Sequence, residues 1–221
     1  MAGTIDVDVF DRNPAGYHSF QSYFFQKGVG QVAPFYQAFF DALQLDEGLE
    51  VLEVGIGSGL NLEYYPDHVK LHGIDRSRNM LDFAAKRAAE LKVPVELNEA
   101  DATALPYDEA GFDRVVATFV MGAVERAAAA IHEARRVCKP GGLIGLFDYH
   151  RSSNPTILAD QQFMNETFRS GVIFGGQKVI VADTLYDFGA VLSELDVEVV
   201  YDEWLERSLS ASFRATVLRK R

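Results

Sequence analysis

Three glycines at alternate positions, Gly55, Gly57 and Gly59, follow the apolar run Val51-Leu-Glu-Val54 and precede a short segment that ends at Pro66. Glycines in such a turn permit positive φ and leave bare backbone against which a ligand can lie. A strand-to-helix turn with no ligand uses the same residues, so their neighbours carry the information. Glu53 places a carboxylate two residues before the first glycine, and Asp75 ends the run Leu71-His-Gly-Ile-Asp75. That is about twenty residues after the loop opens, where a carboxylate can accept hydrogen bonds from both hydroxyls of a ribose. A dinucleotide fingerprint has its last glycine one place further on, inside the helix whose N-terminus meets the pyrophosphate. Leu60 stands at that place, and Glu53 is unfavourable beside a pyrophosphate. The combination suits a nucleoside that also bears an ammonium group.

Alternating elements must position these residues. Apolar runs at 50–54, 70–74, 95–100, 112–118 and 143–149 read as strands. Between them, Met80, Leu81, Ala84, Ala88 and Leu91 repeat at helical spacing behind Ser77 as N-cap. Ala127, Ile131, Ala134 and Val137 do the same, and Pro140-Gly141-Gly142 stops that helix. Strand–helix alternation implies a parallel sheet covered on both faces. The chain ends differently. A helical stripe of Leu185, Phe188, Leu192 and Leu195 is followed by strands at 197–201 and 213–218 joined only by a loop, which makes that pair antiparallel. The expected fold is a single α/β domain over 1–221, Rossmann-like and doubly wound. Its mostly parallel sheet has about seven strands and ends in an antiparallel hairpin.

Five strings in order carry a family resemblance: Glu53-Val-Gly-Ile-Gly-Ser-Gly59, Gly73-Ile-Asp-Arg-Ser-Arg-Asn-Met80, Ala100-Asp-Ala102, Phe112-Asp-Arg-Val-Val116 and Lys139-Pro-Gly-Gly142. Together they resemble the class I S-adenosylmethionine-dependent methyltransferases over residues 48–150, and most nearly the small-molecule and phospholipid N-methyltransferase branch. The resemblance implies S-adenosylmethionine as cofactor, with Gly55, Gly57 and Gly59 walling it and Glu53 near its amino group. Asp75 would hold the ribose, Arg76 or Met80 would lie along the adenine, and Asp101 with the Ala102 backbone would read its edge. Thr118 and Phe119 would line the methionine side. Asp113 also matches a motif, but an acidic residue opening a strand reads as structural.

Methyl transfer needs orientation and exclusion of water, with a base where the acceptor carries a proton. The candidates follow the fifth strand: Asp148 as an orienting carboxylate and His150 as base. Related lipid-type enzymes place a polar residue then His here; Tyr149 intervenes in this chain. Residues 1–33 hold aromatics without a clean period, and 10–33 are expected to form a lid bringing Tyr17 or Tyr23 to the acceptor. By contrast, Phe35, Phe39 and Leu43 read as a core stripe. Residues 151–181 are expected to build acceptor specificity.

Composition narrows the rest. A net charge of −11 without a Lys/Arg cluster beyond the terminal Arg219-Lys-Arg221 argues against nucleic acid as partner. No run reaches the roughly 18 apolar residues of a membrane span, and the acidic N-terminus does not read as a leader, so a cytoplasmic location is expected. The single Cys138 excludes an internal disulfide and reads as a buried thiol. No metal is implied. The acceptor is expected to be a small molecule or lipid head group, N- or O-methylated and more readily amine-bearing than anionic. The competing readings are a nicotinamide-dependent oxidoreductase and a cofactor-binding partner subunit without catalysis.

Overall fold

The computed structural model describes residues 15–16, 18–19, 32–170, 172–174, 177–179, 185–187, 189–207 and 211–221. Helix α1 (Val32–Ala42) precedes β1 (Glu50–Val54), a 3-10 turn (Leu60–Tyr64) and β2 (Lys70–Asp75). Then come α2 (Arg78–Leu91), β3 (Val95–Glu99), β4 (Phe112–Thr118), α3 (Ala127–Val137), β5 (Cys138–Tyr149) and α4 (Pro155–Ser170). A small hairpin of β6 (Val172–Phe174) and β7 (Gln177–Val179) leads to α5 (Gly189–Glu194), β8 (Val197–Arg207) and β9 (Ala211–Lys220).

Seven strands form one sheet in the order β3-β2-β1-β4-β5-β9-β8, parallel except where β9 pairs with β5 and β8. The order reverses between β1 and β4, the switch point at which such sheets open a ligand crevice beyond their strand ends. Glu53 lies opposite Val116 and Val54 opposite Ala117, so the glycine loop and the segment after Thr118 leave the sheet side by side.

Alternation along the strands sends side chains to two cores. Phe39, Leu43, Val51, Leu62, Phe147 and Phe213 pack on the α1–α2 face. Leu52, Val54, Ile74, Ile131, Val137 and Leu146 pack on the α3–α5 face. Each such side chain stabilises the fold by about 1.5–3 kcal/mol relative to exposure. Ser77 caps α2 by accepting from the Met80 N–H at 3.1 Å, as its place in the sequence implies. Arg114, buried in β4, donates to the carbonyls of Leu43 and Gln44 and so fixes the end of α1 against the sheet.

Three expectations are corrected. The fifth strand begins at Cys138, not Leu143, because the Pro140-Gly-Gly142 stretch that stops α3 continues as an irregular strand start with a register shift against β4. Of the helix read from Leu185 to Leu195, the described residues form only Gly189–Glu194, and residues 185–187 are not helical. The terminal hairpin strands run on to Arg207 and back from Ala211, since β8 is an edge whose alternation is blurred by exposed Trp204 and Val199. Cys138 is buried, and burial pushes its thiol up to about 11, consistent with an inert residue. Among the described residues no helix is long and apolar enough to cross a membrane.

Candidate active site

The glycine loop is held in place by its backbone and by Asp75. Gly55, Gly57 and Gly59 all adopt positive φ, of 70°, 55° and 77°. Asp75, at the end of β2, accepts from the Gly57 N–H at 2.9 Å through Oδ2 and from the Ser77 N–H at 2.8 Å through Oδ1. One carboxylate therefore ties the loop to the start of α2. Gly59 leads into a five-residue 3-10 turn, not into the α-helix N-terminus on which a pyrophosphate would sit.

The glycines are not equivalent. A Cβ on Gly55 would overlap the Val120 side chain, whereas one on Gly57 would meet nothing closer than the Met80 methyl at 3.8 Å. Gly55→Ala is therefore expected to cost about 2–4 kcal/mol, from left-handed strain plus overpacking. Gly57→Ala should cost only about 1–2 kcal/mol, from strain alone. Urea denaturation of the two variants checks the order, and equal losses would show that Val120 yields freely.

Beneath the loop lies a sealed polar group. Glu53, 1% exposed, accepts from Asn61 Nδ2 at 2.6 Å; the same nitrogen donates to Thr118 Oγ1 at 2.9 Å. The second Glu53 oxygen, Oε2, is buried with no hydrogen-bond partner among the described residues. Burial pushes this carboxyl up to about 8, with Asp75 adding repulsion and Asn61 and Tyr65 opposing the rise.

The remaining residues divide between site and support. Asp101 accepts from the backbone and hydroxyl of Thr103, and Thr103 holds its carboxyl below the usual range, with Arg76 and Arg126 adding to the effect. Arg76 itself is exposed. Met80 is buried against the loop and Ala102 in the α3–α5 core, so both support the site from inside. Phe119, at φ 57°, is a strained non-glycine turn residue, held by its N–H to Phe147 O at 2.8 Å and packed on the rings of Tyr36, Phe147, Tyr149 and Phe213.

Asp148, near the end of β5, and His150, just past it, alternate with the core rings of Phe147 and Tyr149. Asp148 accepts from the N–H groups of Met121 and Tyr149, both at 2.7 Å, and thereby clamps the turn beyond Phe119. Burial pushes its carboxyl up to about 7 against those hydrogen bonds. His150, 4% exposed, packs edge-on against Trp204 and has Asp187 at 3.6 Å. Burial keeps it below the usual histidine range.

Tyr17 and Tyr23, and with them most of the expected lid, lie outside the described residues. Two features of the site have no counterpart in the sequence reading. His18 Nδ1 lies 2.8 Å from Ser58 Oγ in the glycine loop, its ring stacked on Phe83 of α2. Asn61 is the second, with its only local signal a polar residue between two leucines.

Comparison with known proteins places this geometry. Residues 51–142 match the model of a methyltransferase domain. The chain is 38% identical over 104 residues to phosphatidylethanolamine N-methyltransferase of Cereibacter sphaeroides, covering 46% of this chain and 51% of that one. It is 35% identical over 116 residues to phosphoethanolamine N-methyltransferase 3 of Arabidopsis thaliana, covering 52% and 24%. The matches thus span about half the length of the first relative and a quarter of the second. A crystal structure of a SAM-dependent methyltransferase from Aquifex aeolicus superposes with a TM-score of 0.59 at 17% identity, covering 82% of this chain and 88% of the other. Residues 51–142 thus form a methyltransferase domain with the fold of S-adenosylmethionine-dependent methyltransferases, and S-adenosylmethionine is the cofactor this implies.

Proposed function

We propose that the chain methylates an amine on a small molecule or lipid head group of the ethanolamine kind, using S-adenosylmethionine. The observation that carries this reading is the pair of carboxyls flanking the glycine loop at the switch point of the sheet. Glu53 has a buried oxygen without a well-formed hydrogen bond among the described residues and would offer it to an ammonium, and Asp75, at the end of β2 beside the glycine loop, would accept from a ribose. The positive-φ backbone at Gly57, where an added Cβ would meet only ordinary van der Waals contacts, fits close approach of the same ligand. When bound, the cofactor supplies a methyl group already activated on a sulfonium.

The protein's own residues then orient and exclude water. Phe119, held by the Phe147 carbonyl and backed by the Asp148 clamp, would present the methionine end to the acceptor side. His150 would serve as base, with Asp187 3.6 Å away favouring the protonated imidazole that results. Residues 151–181, with α4 and the β6–β7 hairpin, would build the acceptor pocket. The net charge of −11 favours an amine-bearing acceptor over a polyanion. The Cereibacter and Arabidopsis relatives act, by name, on ethanolamine head groups, which supports the same class.

Isothermal titration with S-adenosylhomocysteine and NADH, followed by transfer of labelled methyl to ethanolamine, phosphoethanolamine and phosphatidylethanolamine vesicles, tests it. Binding of S-adenosylhomocysteine with turnover on at least one amine is expected. Binding without turnover would favour a partner subunit, NADH binding alone would favour an oxidoreductase, and salt-sensitive tRNA binding would count against the acceptor class.

A further inference from the structure

Four elements each send one polar side chain into the space beneath the glycine loop. Tyr36 comes from α1, Glu53 from β1, Asn61 from the 3-10 turn and Thr118 from β4, and all four are buried. Asn61 is the hub. Its Oδ1 accepts from the Tyr36 hydroxyl at 2.6 Å, while both Nδ2 protons are used on Glu53 and Thr118. The amide therefore has one orientation, and it fixes its three neighbours relative to one another.

Such a network is not the cheapest way to fill a core. Replacing buried polar groups by well-packed apolar ones is often neutral or stabilising. Here the cost is aggravated, because no well-formed hydrogen bond reaches Glu53 Oε2 among the described residues, and the buried Tyr65 hydroxyl, which interacts with that carboxyl, lacks one as well. A group kept at such cost beneath a glycine loop at the switch point of the sheet has the character of a receptor waiting for its counter-charge.

On the basis of the cofactor assignment, we propose that Asn61 and Tyr36 are positioning residues for the amino-acid end of the cofactor. Through the Asn61 amide, α1 holds Glu53 and Thr118 in the single arrangement that accepts an ammonium. Tyr36 otherwise belongs to the aromatic core, and nothing about Phe35 or Phe39 beside it requires a hydroxyl. Among the described residues, the titratable groups facing Glu53 are Tyr36 from α1, Tyr65 after the 3-10 turn and Asp75 from β2, and none of them is a cation. With its carboxyl pushed up to about 8, Glu53 is largely protonated in the free protein at neutral pH, so capture of an ammonium should expel a proton.

Two ligands separate this role from plain structural support: S-adenosylhomocysteine, and 5′-methylthioadenosine, which shares its adenosine and thioether but lacks the amino-acid end. Titration calorimetry in two buffers of different ionisation enthalpy reads affinity and proton release together. For the unaltered chain, proton release is expected near pH 7 with S-adenosylhomocysteine and not with methylthioadenosine. Asn61→Ala should weaken S-adenosylhomocysteine by about 10–100-fold, the loss of hydrogen bonding to a charged group, and leave methylthioadenosine within about twofold. Tyr36→Phe keeps the ring packing and should give the same selective loss at about 3–10-fold, so the comparison survives if Asn61→Ala folds poorly. Equal weakening of both ligands, or of neither, would overturn the proposal and leave the network as support for the loop. If neither ligand binds the unaltered chain, the cofactor assignment itself falls, and this proposal with it.

Discussion

Glu53→Gln is expected to raise the melting temperature of the ligand-free protein by on the order of 10 °C at about pH 8.5 and to leave it nearly unchanged at about pH 5. The cause is the proton that burial holds on Glu53. In the folded chain the carboxyl keeps it up to about 8, whereas the unfolded chain releases it from the ordinary value of 4.5 upward. Between those values the unfolded state binds fewer protons, so stability falls as pH rises, and the loss is complete above about 8. It amounts to about 5 kcal/mol, large against a total of about 5–15 kcal/mol. Asp148 contributes with the same sign between 3.8 and about 7. His18 and His150, both held below the usual histidine value, pull the other way in acid. The difference between the variant and the parent isolates Glu53 from these terms. Thermal melts from about pH 4.5 to 9 decide the matter, and a difference that does not widen with pH would mean the carboxyl titrates normally.

That a carboxyl would stand at position 53 was legible in the sequence; that it would be sealed was not. The loop, Asp75 and the Ser77 cap are local features, each fixed by residues a few positions apart, and all three appear where the spacing puts them. The mostly parallel sheet and its antiparallel end follow from alternating periods and short connections, which constrain topology strongly. The polar network resisted reading because its members lie 25 and 57 residues from Asn61 in the chain. Tyr36 sits in a helix whose other aromatics are ordinary core, so its hydroxyl has no signature until the fold is formed. Asp148 reads in the sequence as an orienting carboxylate, and the groups it holds are the N–H groups of Met121 and Tyr149. Helix α4 and the β6–β7 hairpin carry no clear apolar period, so their sequences give no signal for either element.

Asp75→Ala should weaken S-adenosylhomocysteine by about 1.5–3 kcal/mol, the range for losing hydrogen bonds to a charged group. The structure adds a complication, because Asp75 also accepts from the Gly57 and Ser77 N–H groups. Removing it leaves two backbone donors without their acceptor and should cost about 1–3 kcal/mol of stability as well. A fall in affinity alone could therefore reflect a disordered loop. A ligand without ribose hydroxyls separates the two effects. For a 2′,3′-dideoxy analogue of S-adenosylhomocysteine there is nothing for the carboxylate to accept, so any penalty that persists belongs to the loop. If Asp75 binds the ribose, the parent should favour the hydroxylated ligand by about 10–100-fold and the variant should barely distinguish the two. A parent that binds both ligands alike would remove the ribose role and leave Asp75 as the tie between the glycine loop and α2.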